Sequence, residues 1–203
     1  MFYKPRDGHA LPHDPFRAIV APRPIGWVST VSADGLVNLA PYSFYNAVAG
    51  RPPMVILSSE GIKDSIRNIE QTGEFVINLA TLDLARRMNE TSRDLAPDVD
   101  EFTISGLSPV KSSLVAPPRV GESPAALECK MTQMVPLPDL NGDPGARLMA
   151  IGEVVGIHID DAFLTDGKFD MVKAGTLARC GYWDYQVTTD LFDMPKPDFA
   201  GGH

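Results

Sequence analysis

The chain has 203 residues, 44% of them hydrophobic, and a formal net charge of −8 from 18 Lys and Arg against 26 Asp and Glu. This length and composition predict one globular domain that folds without needing a metal or a disulfide. No Lys/Arg-rich run occurs. We therefore expect no nucleic-acid partner, because contact with a phosphate backbone requires clustered positive charge.

Cysteine usage and the apolar runs indicate a reducing, cytoplasmic setting. Cys129 and Cys180 are the two cysteines and form no Cys-x-x-Cys pair, so neither a disulfide framework nor a thiolate metal site is predicted. No apolar run has the length of a signal peptide or a membrane span, and we expect no membrane partner. His9 and His13 lie four residues apart, but the intervening Pro12 argues against a shared helix face, so no metal site is expected.

Strand patterns dominate the chain from residue 25 onward. The first predicted strand is followed by an Ala33-Asp34-Gly35 turn and a second extended run, a pattern typical of a hairpin. In the last predicted strand, Gly152 and Gly156 share a face of small residues, so something is expected to approach the backbone closely there. The predicted strands cover 25–32, 53–58, 74–80, 125–137 and 147–159.

Short helices are predicted between these strands. Ile62, Ile66 and Ile69 recur at helical spacing and Gly73 follows as a stop signal. Thr81 is a candidate cap for a second short helix. The first sixteen residues read as an extended arm. Together the elements predict a mainly β fold with small helices, arranged as an antiparallel barrel.

The segment around Lys63 combines four features that bind phosphate. A strand ends in Ser58-Ser59, Gly61 follows, and Lys63-Asp64-Ser65 opens a helix whose free amides lie at its positive end. The alternative is an ordinary capped helix with a solvated lysine. The chain contains neither a G-x-G-x-x-G nor a Walker A motif, so a nucleotide would be held without a Rossmann or P-loop unit.

The hairpin carries hydroxyls and aromatic rings that suit a flat, hydrogen-bonding ligand. Ser29, Thr30 and Ser43 could bond the polar edge of such a ring, and Trp27 and Tyr42 could contact its apolar edge. The alternative is that these are unremarkable barrel-strand residues, since alternating aromatics and hydroxyls are common there. A flat ring with one phosphate describes FMN.

Several segments, taken in order, resemble the flavin reductase-like family of FMN-binding split-barrel proteins, in the branch that includes flavoredoxins. The matching segments are Arg23-Pro24-Ile25-Gly26-Trp27-Val28-Ser29-Thr30, Asn38-Leu39-Ala40-Pro41-Tyr42-Ser43-Phe44, Lys63-Asp64-Ser65, Glu74-Phe75-Val76-Ile77-Asn78-Leu79-Ala80 and Leu177-Ala178-Arg179-Cys180-Gly181-Tyr182. Further matches occur at 117–120, 127–130 and 151–159.

The resemblance implies a six-stranded antiparallel split barrel that forms a homodimer with flavin near the subunit interface. It implies a domain over 17–194, flanked by the arm 1–16 and a tail 195–203. With the two segments above, it gives an expected set of FMN contacts: Trp27, Ser29, Thr30, Ala40, Pro41, Tyr42, Ser43, Ser58, Lys63, Asp64 and Ser65. Tyr42 stands at a position that varies within the wider family, which leaves its role open.

Three further residues are candidates for the nicotinamide or substrate side. His158 could border the nicotinamide or pass on a proton, or it could be a structural histidine. Arg179 and Tyr182 could meet the phosphate and ring of NADH or NADPH, or could close the core. Cys129 is interpreted as a core residue, and Cys180 has no resolving partner for redox chemistry in the sequence.

The resemblance predicts an NAD(P)H-dependent flavin oxidoreductase that uses FMN and passes electrons to a partner oxygenase, to free flavin or to another acceptor. No dedicated catalytic side chain is expected, because the flavin carries the chemistry and the protein supplies orientation. The alternative is an FMN-binding electron carrier, similar to flavoredoxin, without its own NAD(P)H turnover.

Overall fold

The computed structural model describes residues 1–96, 99–195 and 197, and these form mainly β structure with a few short helices. The helices of the described residues are α1 Phe16–Ile19, α2 Asp64–Thr72, α3 Ala85–Glu90, α4 Glu101–Ser105 and α5 Met171–Ala174, with 3-10 helices at Pro5–Asp7 and Asp161–Phe163. Their strands are β1 Arg23–Pro24, β2 Gly26–Val31, β3 Val37–Tyr42, β4 Tyr45–Gly50, β5 Pro53–Glu60, β6 Glu74–Leu79, β7 Pro109–Val110, β8 Arg119–Val120, β9 Ala125–Pro136, β10 Arg147–Ile159, β11 Leu164–Thr165, β12 Lys168–Phe169, β13 Leu177–Arg179 and β14 Tyr185–Val187.

A seven-stranded antiparallel sheet forms the centre of the molecule. Its strand order is β3-β2-β6-β9-β10-β5-β4. The long strands β9 and β10 pair along most of their length, with Leu148 opposite Pro136 at one end and Ile159 opposite Ala125 at the other. Smaller sheets of the described residues are β1-β13-β14, β11-β12 and β7-β8.

The two edge strands of the large sheet are consecutive in the chain. Only Ser43 and Phe44 separate β3 from β4, although the two strands lie at opposite ends of the strand order. Because the three residue steps from Tyr42 to Tyr45 span at most about 11 Å, the two edges must come together, so the sheet curves into an open barrel. At the break, the Ser58 amide donates to the Phe44 carbonyl at 2.8 Å.

The strand count differs from the expected six because of this break. The segment that pairs first with β2 and then with β5 is divided at Ser43 and Phe44 into β3 and β4, which gives seven strands. The mainly β architecture with small helices is confirmed.

Two apolar clusters lie on the two faces of the sheet. Inside the curve, Val28, Leu57 and Phe75 pack against Ile66 and Ile69 of α2, and all five are fully buried. The outer cluster is built from Ile25, Trp27, Leu39, Ala80, Leu84, Met88, Phe102, Leu107, Val120 and Leu177. Strand β2 therefore places alternate side chains in different clusters, and both of its faces are covered.

The predicted elements agree closely with the observed ones where local signals are strong. Strand β10 covers 147–159 as predicted, and α2 ends at Gly73, whose φ of 72° suits a glycine. The close approach expected at Gly152 comes from Phe75, since a Cβ on this glycine would lie 2.5 Å from the Phe75 ring.

One expected helix cap is wrong, and the expected domain boundaries stay a prediction. The helix that Thr81 was expected to cap is α3, which begins only at Ala85, four residues later. Thr81 instead forms a β-bridge with Thr176. The tail 195–203 lies outside the described residues except for positions 195 and 197, and the domain boundaries stay a prediction. None of the described helices is long and apolar enough to cross a bilayer.

Candidate functional site

A cavity of about 500 Å³ lies where β3 breaks and α2 begins. Eight of the eleven predicted FMN contacts line it: Ala40, Pro41, Tyr42, Ser43, Ser58, Lys63, Asp64 and Ser65. We call it the first cavity. Its remaining walls include the basic side chains of Arg17 and Arg93, the acidic side chains of Glu60, Asp94 and Glu101, and Asn38, Phe44 and Ser59. Residues from the barrel edge and from the helix start therefore meet in one concave site.

The start of α2 presents free hydrogen-bond donors to the first cavity. Lys63 occupies the cap position in an extended conformation, and its side chain makes no capping hydrogen bond. The first amides of a helix have no intrahelical partners, and the helix dipole makes this end positive. Lys63 is exposed and has no ion pair within the described part of the chain. Asp64 forms an ion pair with Arg67, and this pair offsets the negative charge of the Asp64 carboxylate. The arrangement suits an anion.

Hydroxyl groups form the floor of the first cavity. The Asn38 side-chain amide donates to Ser65 Oγ at 2.8 Å, and Ser59 Oγ donates to the Gly61 carbonyl at 2.8 Å. The Tyr42 side chain is 8% exposed, and its buried hydroxyl has no hydrogen-bond partner among the described residues. Burial raises the pKa of Tyr42, so its hydroxyl stays protonated and remains a donor.

A second cavity of about 690 Å³ continues from the first one. Both cavities are lined by Pro41, Tyr42 and Ser43 at the end of β3. The far wall of the second cavity carries Arg86 from α3 and Arg179 from β13, together with the rings of Trp183 and Tyr185. The guanidinium carbon of Arg179 lies 4.5 Å from the centre of the Tyr185 ring. This cavity combines positive charge with aromatic surface.

Comparison with known protein families identifies the family of this chain. A family model described as the flavin reductase like domain matches residues 18–172. The chain belongs to this flavin reductase-like family. The resemblance inferred from the sequence segments is thereby confirmed.

Three proteins are similar to this flavin reductase-like chain, one in sequence and two in structure. Protein BH2278 of Halalkalibacterium halodurans is 34% identical over 186 residues, covering 89% of this chain and 88% of the relative. The structure of nitrilotriacetate monooxygenase component B from Bacillus cereus aligns with a TM-score of 0.87 at 27% identity, over 96% of this chain and 98% of that one. Flavoredoxin of Desulfovibrio vulgaris (Miyazaki F) shares the fold, with a TM-score of 0.75 at 21% identity over 100% of both chains.

Three predicted ring contacts of the flavin reductase-like chain, Trp27, Ser29 and Thr30, lie away from both cavities and are fully buried in the central strand β2. Their polar atoms are bonded inside the protein: Trp27 Nε1 donates to Thr91, Ser29 Oγ donates to the Pro118 carbonyl, and Thr30 accepts from Asn68. Since β2 is covered on both faces, these three side chains have structural partners inside the fold, and their contact with a ring stays a prediction.

His158 also lies away from both cavities, where its bonding fits the structural alternative, and its nicotinamide-side role stays a prediction. Its ring bonds the fully buried carboxylate of Glu128, which also accepts the amides of Ser113 at 2.7 Å and Leu114 at 2.6 Å. Burial alone would raise the pKa of Glu128, but these three hydrogen bonds outweigh it and hold the pKa below its ordinary value. We call these residues the Glu128 cluster, and every acceptor bond of the carboxylate stays inside the fold.

The two remaining nicotinamide-side candidates differ in whether they line the second cavity. Arg179 lines the second cavity. Tyr182 does not; its carbonyl accepts from Arg179 at 2.5 Å and its ring packs edge-on against His13, with the ring centres 5.6 Å apart. Tyr182 therefore belongs to the turn that supports Arg179.

Sequence reasoning missed several lining residues. Arg17 and Arg93 of the first cavity and Arg86 of the second come from segments with no motif of their own. Trp183 and Tyr185 directly follow the matching segment that ends at residue 182, so two aromatics next to a candidate arginine were a usable signal.

Proposed function

We propose that this chain binds FMN in the first cavity and acts as an NAD(P)H-dependent flavin oxidoreductase that passes electrons to a further acceptor. One observation carries the proposal. The free donors at the start of α2 line a cavity that runs along the end of β3 into a second cavity containing two arginines. Membership of the flavin reductase-like family supports it.

The first cavity passes a test of fit for FMN. Its volume of about 500 Å³ lies within the usual range for small-molecule sites, about 300–1,000 Å³. Lys63, Ser58 and Ser65 would hold the phosphate, assisted by the first amides of α2. The buried Tyr42 hydroxyl beneath the cavity has no hydrogen-bond partner among the described residues, so the hydrogen bonding of the floor is incomplete without a ligand.

The ring would lie along the end of β3, against Ala40, Pro41 and Ser43, with the Phe44 side chain beside them. Bound FMN would supply the acceptance and release of electrons. These residues orient the ring and exclude water from one side of it. Tight positioning of two reactants is the main contribution required of the protein.

The second cavity is the proposed site of the nicotinamide donor. Arg86 and Arg179 would contact its phosphates, and Trp183 and Tyr185 offer surfaces for its rings. Because this cavity shares Pro41, Tyr42 and Ser43 with the first, the donor would lie next to the flavin.

We also propose a homodimer and a partner acceptor. One similar structure is named component B of a monooxygenase, so an oxygenase component is a reasonable recipient of the electrons. If a second copy completes the ring site, dilution of the protein until the dimer dissociates should release flavin. Retention of flavin by a proven monomer would contradict that part of the proposal.

The activity is tested on purified protein reconstituted with FMN. We expect a yellow complex whose flavin absorbance is bleached by NADH or NADPH in anaerobic stopped-flow. A yellow protein that neither nucleotide reduces at a useful rate would favour the electron-carrier alternative. A colourless protein that cannot be reconstituted would contradict flavin binding itself.

A further inference from the structure

The floor of the first cavity holds two hydroxyl protons, of Tyr42 and Ser65, that have no acceptor among the described residues. The buried hydroxyl of Tyr42 has no partner within the described residues, and Ser65, which is 1% exposed, only accepts, from Asn38. A polar group buried without a partner carries a free-energy cost, and such a group in a native structure needs a physical reason. An anion above the floor supplies one, because it brings acceptors and no donors.

The direction of the Ser65 hydroxyl follows from its neighbours. A serine oxygen has two acceptor positions and one proton. The Asn38 amide fills one acceptor position at 2.8 Å. The hydroxyls of Ser59 and Ser65 are the polar neighbours of Tyr42, and either oxygen can accept from it. Ser59 already donates its proton to the Gly61 carbonyl, so Ser65 is the one of the two whose proton is not yet bonded. If Tyr42 donates to the second position of Ser65, the Ser65 proton must point into the cavity.

We propose that Tyr42 and Asn38 are positioning residues for the flavin phosphate, acting through Ser65 by orienting its hydroxyl as a donor into the first cavity. This inference rests on the proposed function, because it takes the phosphate to be that of FMN. It gives Tyr42 a role at the phosphate and not at the ring. Tyr42 itself has no exposed hydroxyl surface, which is why it acts through Ser65 and does not touch the ligand.

A double-mutant cycle on FMN binding tests the inference. We expect Ser65→Ala to weaken FMN binding by about 10- to 100-fold, the effect of one hydrogen bond to a charged group, and Tyr42→Phe by about fivefold. The double variant should bind FMN like Ser65→Ala alone, to within about twofold, because Tyr42 acts through Ser65. Asn38→Ala provides a second, independent cycle with Ser65→Ala.

Two further measurements separate a positioning role from a structural one. Riboflavin has the same ring and no phosphate, so its dissociation constant should not change in Tyr42→Phe. The unfolding midpoint of the flavin-free Tyr42→Phe protein should be unchanged or higher, since the Tyr42 hydroxyl has no hydrogen-bond partner among the described residues until Ser65 gives its proton to the phosphate. Tyr45→Phe is the matched control, because Tyr45 does not line the first cavity.

Additive effects in both cycles would overturn the inference. Equal weakening of riboflavin and FMN in Tyr42→Phe, or a lower unfolding midpoint of the flavin-free variant, would also overturn it. If the unaltered protein binds neither flavin, the proposed function itself fails. If it binds FMN tightly and the cycles are additive, only the roles of Tyr42 and Asn38 are wrong.

Discussion

Two buried polar sites in this molecule differ in how completely their hydrogen bonds are satisfied. In the Glu128 cluster, the carboxylate accepts two backbone amides and the His158 ring. At the first cavity, Lys63 and the Tyr42 hydroxyl have no partners in the described part of the chain. Both sites contain residue types that suggest function in a sequence. Of the two, the first cavity is the site whose polar groups lack hydrogen-bond partners.

The difference teaches where a ligand is needed. A satisfied buried network stabilises and orders the fold, whereas a partly satisfied one costs free energy until something completes it. The Glu128 cluster fastens the segment 113–114 to the sheet, which is a structural task. At the first cavity, we propose that an anion completes the hydrogen bonding. The following variants sharpen this comparison.

The largest effect is expected from removing the carboxylate of the Glu128 cluster. Glu128→Ala leaves two amides and the His158 ring without their acceptor, and should lower the free energy of unfolding by about 3–5 kcal/mol. Denaturant unfolding measures this. Glu128→Gln, which keeps the shape and one acceptor, should cost less, and FMN affinity of the folded variant should not change. A loss below about 1 kcal/mol in Glu128→Ala would break the comparison.

At the first cavity, Lys63→Ala should have the opposite profile. FMN binding should weaken by about 1–3 kcal/mol through loss of a charge-assisted bond, while the free energy of unfolding stays within about 0.5 kcal/mol. Fluorescence titration of FMN and denaturant unfolding of the flavin-free protein provide the two values. Lys168→Ala, at an exposed lysine of β12, is the control. An unchanged FMN dissociation constant would remove Lys63 from the site.

A smaller effect is expected at the second cavity. Arg179→Gln should weaken the binding of NADH or NADPH by about 1 kcal/mol, because a partly exposed charge contributes modestly. The dissociation constant from the dependence of flavin reduction on donor concentration reports it, with FMN affinity unchanged. Arg6→Gln in the arm is the control, and added salt should narrow the difference between Arg179→Gln and the unaltered protein. Equal loss of FMN affinity would show that the two cavities are not separate subsites.

The smallest effect concerns pH. The pKa of Glu128 is held below its ordinary value in the folded protein, so its contribution to stability is present above about pH 4.3 and is lost as the pH falls through the lowered value. Unfolding experiments from pH 7 to pH 3 should show a decline in stability that is weaker in Glu128→Gln. Parallel declines in the two proteins would mean that this carboxyl is not the responsible group.

Local chemistry explains which parts of the fold and site were predictable. Strand β10 is long, alternates regularly and follows a strong turn, so its bounds were found from the sequence. The helix start at Lys63–Ser65 has its own cap and dipole chemistry within three residues. The break between β3 and β4 could not be found, because it arises when one extended segment changes partners from β2 to β5.

The candidate residues that lie outside the two cavities show what a local sequence pattern cannot predict. Alternation in β2 indicates which side chains share a face, but it does not say what covers that face. Trp27 and Ser29 are covered by Thr91 and Pro118, more than sixty residues away in the chain. His158 finds its acceptor Glu128 thirty residues earlier. Such long-range partners cannot be read from the local sequence pattern, which is why the positions of these side chains could not be predicted.

The central claim is that the start of α2 and the floor beneath it hold the phosphate of a bound flavin. A crystal structure of the protein with FMN tests it most directly. We expect the phosphate beside Lys63 and the Ser65 hydroxyl, with the ring along the end of β3. A phosphate located elsewhere, with Lys63 free and Ser65 bonded only to Asn38, would contradict it.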